Sequence, residues 1–238
     1  MKLVDELIGG LKVAKIFRES KDRVTSMDFS ANGEMMITCG LDDRILMYDC
    51  QKGDHSTTVH TKKYGARIIR FTHGNTTAIY ASSKVNHDIR YISLHDNRFI
   101  RYFKGHSKQV NSLSISPIDD TFVSTALDGT LRLWDLRSET VAAVLQTKGK
   151  SLAAFDPQGL IFATGINSNT INLYDLKSLA RGPFLKFCYP VDNNCEWTEM
   201  KFSRNGKFIL IGTNGKVARM VDAFNGVPLQ TFGGNLLN

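Results

Sequence analysis

The feature that most constrains this chain is an internal repeat. A unit of about 43 residues, carrying four short strand signals, returns along the sequence. The clearest copy opens at Gly105-His106 and runs through Val110–Pro117, Thr121–Thr130 and Leu131–Asp135, with a last apolar segment at Val141–Gln146. Within it Leu131 and Leu133 alternate with Arg132, the period of two that marks a strand with unlike faces. Pro117 with Asp119-Asp120, and Asp128-Gly129, supply the turns between strands. One such unit cannot bury its apolar faces alone, so the copies must pack on each other.

The same pattern reads Val24–Ser30, Gly33, Met36–Thr38 and Ile45–Asp49 near the start. It returns at Ser151–Asp156, Ile161–Thr164 and Ile171–Leu176, and again at Thr198–Ser203, Phe208–Ile211 and Met220–Asp222. A weaker copy spans Arg67–Phe71, Thr77–Ala81, Asp88–His95 and Phe99–Phe103. Asp49 and Asp135 lie 86 residues apart, Asp135 and Asp175 40, and Asp175 and Asp222 47. These distances bracket one or two lengths of a four-stranded propeller blade. No 3.6-residue apolar pattern persists beyond a turn or two, which argues against a helical solenoid or a βαβ fold. The expected architecture is all-β: five four-stranded blades at 20–61, 65–106, 107–148, 149–190 and 195–234, preceded by a strand over 12–19.

His106, Ser124, Asp128 and Trp134 carry a resemblance to WD-repeat β-propellers. In that family a His, a Ser or Thr, an Asp and a Trp form a hydrogen-bonded chain within a blade. The chemistry is sound, since a buried indole N–H and a buried carboxylate both need partners. The other copies are degenerate: Thr38, Asp42 and Tyr48 in the first, and Thr164, Ser168 and Tyr174 in the fourth. The fifth has Val221 at the Trp position and Gly215 at the Asp position.

A closer resemblance runs from Lys12 to Gly234. Val13–Glu19, Ile89–Asn97, Ile100–Phe103, Gly105–Lys108, Cys195-Glu196-Trp197, Ile211–Gly215 and Thr231–Gly234 are similar to the WD-repeat subunit of the COMPASS histone methyltransferase complexes. That resemblance implies a nuclear, non-catalytic platform joining a lysine methyltransferase complex to the phosphorylated tail of RNA polymerase II, with related members in a nuclear phosphatase complex. It also implies a seven-bladed ring, within the range that propellers adopt. On that plan the last two blades are missing, and the strand at 12–19 loses the blade it would complete. The expectation is a truncated, open ring, with closure of five blades as the competing reading. The shortened form is expected to be a marginal monomer or to borrow a partner.

The residues call for no cofactor or metal. Neither a Gly-rich phosphate loop nor an H-E-x-x-H or G-x-S-x-G pattern occurs, and Cys39, Cys50, Cys188 and Cys195 form no C-x-x-C pair. These cysteines read as reduced thiols of an intracellular protein. No secretory signal and no apolar run long enough to span a bilayer appear. A 42% hydrophobic and 22% charged composition supports a packed core. Thirty Lys and Arg against 23 Asp and Glu, net +7, favours acidic partners: phosphopeptides, acidic protein faces or nucleic acid.

Candidate contacts for a partner or phosphopeptide are Arg67, Arg70, Arg90, Arg98, Arg101, Lys104 and Lys108, with Trp197 as a candidate anchor. In Arg98-Phe99-Ile100-Arg101-Tyr102, basic and aromatic residues interleave. Guanidinium groups clamp phosphate with paired hydrogen bonds. The same residues also suit a charged outer strand that blunts pairing with other chains, and Trp197 equally suits packing between blades.

Overall fold

Each repeat begins with a strand that ends in a tight, self-bonded turn. In the first repeat Gly33, at φ 73°, donates its N–H to the Ser30 carbonyl at 2.8 Å, and the Ser30 hydroxyl accepts from Met35 N at 3.0 Å. Gly206 and Ser203 repeat this in the fifth, and in the fourth Gly159 turns on Asp156, whose carboxylate accepts from Ile161 N. Glycine takes positive φ without a Cβ clash, so the chain reverses here and the second strand pairs back on the first.

The computed structural model of the chain describes residue 10 and residues 12–191, 195–215 and 217–233. Five antiparallel four-stranded sheets result, each in simple meander order. Blade 1 holds β1 (Val24–Phe29), β2 (Met35–Gly40), β3 (Arg44–Asp49) and β4 (Asp54–His60). Blade 2 holds β5 (Ile68–Phe71), β6 (Thr77–Ala81), β7 (Ile89–Ser93) and β8 (Arg98–Phe103). Blade 3 holds β9 (Val110–Ile115), β10 (Thr121–Ala126), β11 (Thr130–Asp135) and β12 (Val141–Gln146). Blade 4 holds β13 (Ser151–Phe155), β14 (Ile161–Ile166), β15 (Thr170–Asp175) and β16 (Leu185–Cys188). Blade 5 holds β17 (Trp197–Phe202), β18 (Phe208–Thr213), β19 (Val217–Asp222) and β20 (Pro228–Gly233). The molecule is a five-bladed propeller. Gly234 and the Asn235–Asn238 end of the fifth repeat lie outside the described residues.

The core is a series of seams between blades. Ile37, Ile45 and Met47 meet Ile69, Tyr80 and Ile92 between blades 1 and 2. Ile79, Ile89 and Phe103 meet Leu113, Phe122 and Trp134 between blades 2 and 3. Val123 and Leu131 pack on Phe155, Phe162 and Tyr174, and Leu152, Ile171 and Leu173 pack on Trp197, Met200 and Ile209. Each such side chain, fully buried, contributes about 1.5–3 kcal/mol.

Polar ties supplement two of the seams at the channel. Ser26 Oγ accepts from Ile69 N at 3.2 Å, and Asp28 Oδ2 from Phe71 N at 2.9 Å. Ser112 and Ser114 do the same for Ala153 N and Phe155 N at 3.2 and 3.1 Å. Small acceptors on one inner strand thus satisfy the channel-facing amides of the next.

The inner strands pack in the order β1, β5, β9, β13, β17. Among the described residues no buried apolar cluster joins blade 5 to blade 1. Met27 and Phe29 on β1 stay 49% and 53% exposed, and Leu210 and Phe232 of blade 5 stay 46% and 43% exposed. Residues 12–19, expected as a strand, are instead irregular backbone. They meet blade 1 through side chains: Phe17 lies 4.6 Å from the Tyr48 ring, and Lys15 bonds Asp54 at 2.6 Å. A strand needs a backbone edge to pair with, and this segment meets a side-chain face.

Candidate functional site

In blade 3 Trp134, Ser124, His106 and Asp128 form one hydrogen-bonded chain. Trp134 Nε1 donates to Ser124 Oγ at 2.8 Å, and Ser124 Oγ lies 2.7 Å from His106 Nε2. With the indole as donor, the serine proton goes to His106 Nε2, and Nδ1–H is left to donate to Asp128 Oδ2 at 3.0 Å. Asp128 also accepts from Ser107 N, Thr130 N and Thr130 Oγ1. Burial raises the Asp128 carboxyl, but these hydrogen bonds outweigh it and hold it at about 2. His106 is held below its ordinary value, because burial disfavours the imidazolium more than Asp128 favours it. The tetrad is a fully connected internal brace with no open position for a ligand.

In the degenerate blades the same positions do less. Asp42 accepts from Lys21 N at 3.1 Å and sits 3.3 Å from Arg44 Nε, so it still ties the entry of β1. Thr38 is buried, and its side chain hydrogen-bonds the Tyr48 hydroxyl. In blade 4 Tyr174 stacks on Phe162 at 5.2 Å, and among the described residues the buried Thr164 hydroxyl has no partner. Ser168 accepts from Trp197 N of blade 5 at 2.9 Å. In blade 5 Asn214, one residue before Gly215, accepts from Glu196 N at 2.8 Å, as Asp128 does from Ser107 N. An Asx side chain in the turn after the second strand was the signal for it, and the repeat alignment passed it by one position.

The predicted basic cluster divides. Arg67 and Arg70 reach the central channel, a cavity of about 520 Å³ lined by all five inner strands. There they join Arg23, Lys150 and Lys201, which the sequence reading had not singled out because they come from three different repeats. Against these five cations the channel wall offers Glu199, which pairs with Arg70 at 3.0 Å and Lys201 at 3.5 Å. At the strand-entry end Lys150 pairs with Glu196 at 2.7 Å. Asp28 lies deeper; burial raises its carboxyl above the ordinary value even though Arg70 and Lys201 oppose that. The channel is therefore positive, with the exposed Arg67 at its mouth.

The remaining candidates point elsewhere. Arg90 is 2% exposed and lies under aromatic rings, so its guanidinium is not presented to a partner. Arg101 turns inward and donates to the Leu136 carbonyl, tying blade 2 to blade 3. Arg98, Lys104 and Lys108 are exposed on the outer side of blade 2 and the connection to blade 3. Trp197 is buried: its ring lies 6.1 Å from Tyr189, and a Cβ on Gly165 would come within 3.0 Å of it. It packs blade 5 on blade 4 rather than anchoring a partner. Among the described residues no group of His, Cys, Asp and Glu converges as a metal site, and no helix is long and apolar enough to cross a membrane.

A family model described as Nucleolar protein 10-like, N-terminal domain, matches residues 35–233, and one described as WD domain, G-beta repeat, matches residues 11–49. WD repeat-containing protein 82 of Drosophila melanogaster is 56% identical over 234 residues, covering 98% of this chain and 74% of that protein. COMPASS component SWD2 of Saccharomyces cerevisiae is 37% identical over 87% of this chain and 63% of its own length. Set1 complex component swd2 of Schizosaccharomyces pombe is 38% identical over 87% of this chain and 58% of its own length. The chain thus spans less than two thirds of either yeast relative. On this fold, this tetrad and these matches, the chain belongs to the WD-repeat propeller family, in the group that holds WD repeat-containing protein 82 and the Swd2 components of Set1 and COMPASS.

Proposed function

We propose that the chain is a non-catalytic nuclear scaffold of a Set1/COMPASS-type histone lysine methyltransferase assembly, linking it to the phosphorylated tail of RNA polymerase II. The observation that carries the second half is the basic channel mouth. Arg23 and Arg67 are both exposed and both line that channel, each just before the inner strand of its blade. Guanidinium groups recognise phosphate by charge-assisted, paired hydrogen bonds. The same chemistry supports docking to a nuclear phosphatase assembly through a phosphorylated or acidic segment. We read the five blades as a shortened form of the family's seven-bladed ring. The support for that is the uncovered apolar surface at Met27 and Phe29 on one side and Leu210 and Phe232 on the other.

The test is co-purification of the tagged chain with Set1-type methyltransferase subunits, paired with binding of a synthetic polymerase-tail repeat with and without phosphoserine. Binding should require the phosphate, weaken with salt, and fall several-fold in Arg67→Glu. Loss of the methyltransferase would reduce this chain to an inactive form of the scaffold. Retention of only one partner would make it a competitor. Salt-sensitive RNA binding that exceeds phosphopeptide binding would replace the tail with nucleic acid.

A further inference from the structure

On the outer edge of blade 2, three aromatic rings are held from beneath by a buried cation. The Arg90 guanidinium carbon lies 3.5 Å from the Tyr64 ring centre, 5.2 Å from that of Tyr102 and 5.7 Å from that of Phe99. Its Nη2 donates to Asn86 Oδ1 at 3.0 Å, while among the described residues Nε has no partner and no carboxylate pairs with the group. A buried guanidinium without a counter-ion is costly, and the negative faces of the rings offset that cost. The rings are thereby fixed against one another, with Phe99 5.4 Å from Tyr102 and Tyr64 6.4 Å from Phe99.

Their other sides face out. Phe99 is 39% exposed, Tyr102 38% and the intervening Ile100 46%. All three stand on β8, the outermost strand of its sheet, whose far edge pairs with no strand among the described residues. Cations flank the patch: Lys63 Nζ lies 5.0 Å over the Tyr64 ring, and the Arg98 side chain is 82% exposed with Asp96 at 3.6 Å.

From this juxtaposition we infer that the β8 edge is a docking surface for an extended segment of a protein partner, carrying one aromatic or branched aliphatic anchor flanked by carboxylates. Pre-ordered, exposed aromatics lose little entropy on binding, which is what interface hot spots use. The free backbone edge offers main-chain pairing to an extended peptide. The cationic flank selects acidic neighbours of the anchor. A single-stranded nucleic acid would use the rings and the charges but not the backbone edge, so the peptide is favoured. The surface lies on the outer edge of the blade, away from the channel, and stands or falls without it.

The experiment is selection of random displayed dodecapeptides on the folded full chain, followed by affinity measurement on Phe99→Ala, Ile100→Asp and Arg98→Glu. Enriched sequences should share one Trp, Phe, Leu or Ile among Asp and Glu. Their affinity should fall about tenfold or more in Phe99→Ala, and a few-fold in Arg98→Glu, the latter loss vanishing at high salt. Circular dichroism shows whether Phe99→Ala folds, and Ile100→Asp, at an exposed position, gives the same reading if it does not. Any of four results overturns the inference: no enrichment, enrichment without anchor or acid, equal binding by all variants, or tighter, Phe99-dependent binding of oligouridylate.

Discussion

Arg70 on β5 and Glu199 on β17 meet at 3.0 Å across the channel, joining the second blade to the fifth. Blades 5 and 1 share no buried apolar seam among the described residues, and this pair ties the last blade directly to the second. The Glu199 side chain is half exposed, which limits its worth. A double-mutant cycle with Arg70→Met and Glu199→Gln should give a coupling of about 0.5–1 kcal/mol at low salt and near zero in molar salt. The Arg70 single variant should cost more than the Glu199 one, because Arg70 Nη1 also donates to Ser26 Oγ at 2.9 Å.

Ser124 is the pivot of the blade 3 brace. Ser124→Ala strips the partner from the Trp134 indole and from His106 Nε2, both buried. Two orphaned polar groups predict a loss of about 2–4 kcal/mol in urea unfolding. The equivalent position of blade 4 behaves differently. Thr164 has a buried hydroxyl that finds no partner among the described residues, so Thr164→Val should be neutral or stabilise by up to about 1 kcal/mol.

That contrast also shows what was legible in the sequence. Repeat period, turn glycines and strand alternation located all five blades, because each is a local signal recurring at fixed spacing. The tetrad was legible because Trp134 and His106 are costly to bury unless paired. The channel was not. Arg23, Arg70, Lys150 and Lys201 come from four repeats, and only the closing of inner strands around one axis brings them together. Arg90 misled for the opposite reason: a cation in a strand reads as surface unless the rings that cover it, Tyr64 from a connection and Phe99 and Tyr102 from the next strand, are placed in space. The segment at 12–19 misled because its strand-like pattern has no backbone edge beside it.

Acid should weaken the fold in two steps. His106 is held neutral below its ordinary 6.5, so the unfolded chain takes up a proton that the folded one refuses. Stability is complete above about pH 6.5 and falls as pH drops through the window beneath it. Asp128 is held at about 2 against an ordinary 3.8. Its contribution is complete above about pH 4 and is lost as pH falls toward 2. Thermal midpoints across pH should show both slopes. Asp128→Asn should shallow the lower slope without removing it, because the Arg137 guanidinium also holds Asp135 at about 2, and the upper slope should persist while His106 stays buried.

Arg90 permits a test that separates charge from volume. Arg90→Ala leaves a hole under Tyr64, Phe99 and Tyr102 and should cost about 3 kcal/mol or more. Arg90→Met fills much of that volume and removes an unpaired buried charge, leaving only Asn86 Oδ1 without its donor. Exchanging a buried ion for an apolar side chain of similar size is often neutral or better. Arg90→Met should therefore lie within about 1 kcal/mol of the parent in urea unfolding. A cost equal to that of alanine would mean that the charge itself, held against the rings, is what stabilises this edge.

The uncovered faces of blades 1 and 5 make self-association the expected fault of this chain in solution. Met27 and Phe29 stand on β1 and Leu210 on β18, each about half exposed and on a sheet face that no further blade covers among the described residues. Exposed apolar side chains on two such faces favour association. Because these side chains are only about half buried, Phe29→Ser with Leu210→Ser should cost about 1 kcal/mol per site in unfolding stability. The same pair should shift light scattering toward monomer. If scattering stays unchanged while Phe99→Ala lowers it, the association runs through the aromatic edge of blade 2 rather than through the open faces.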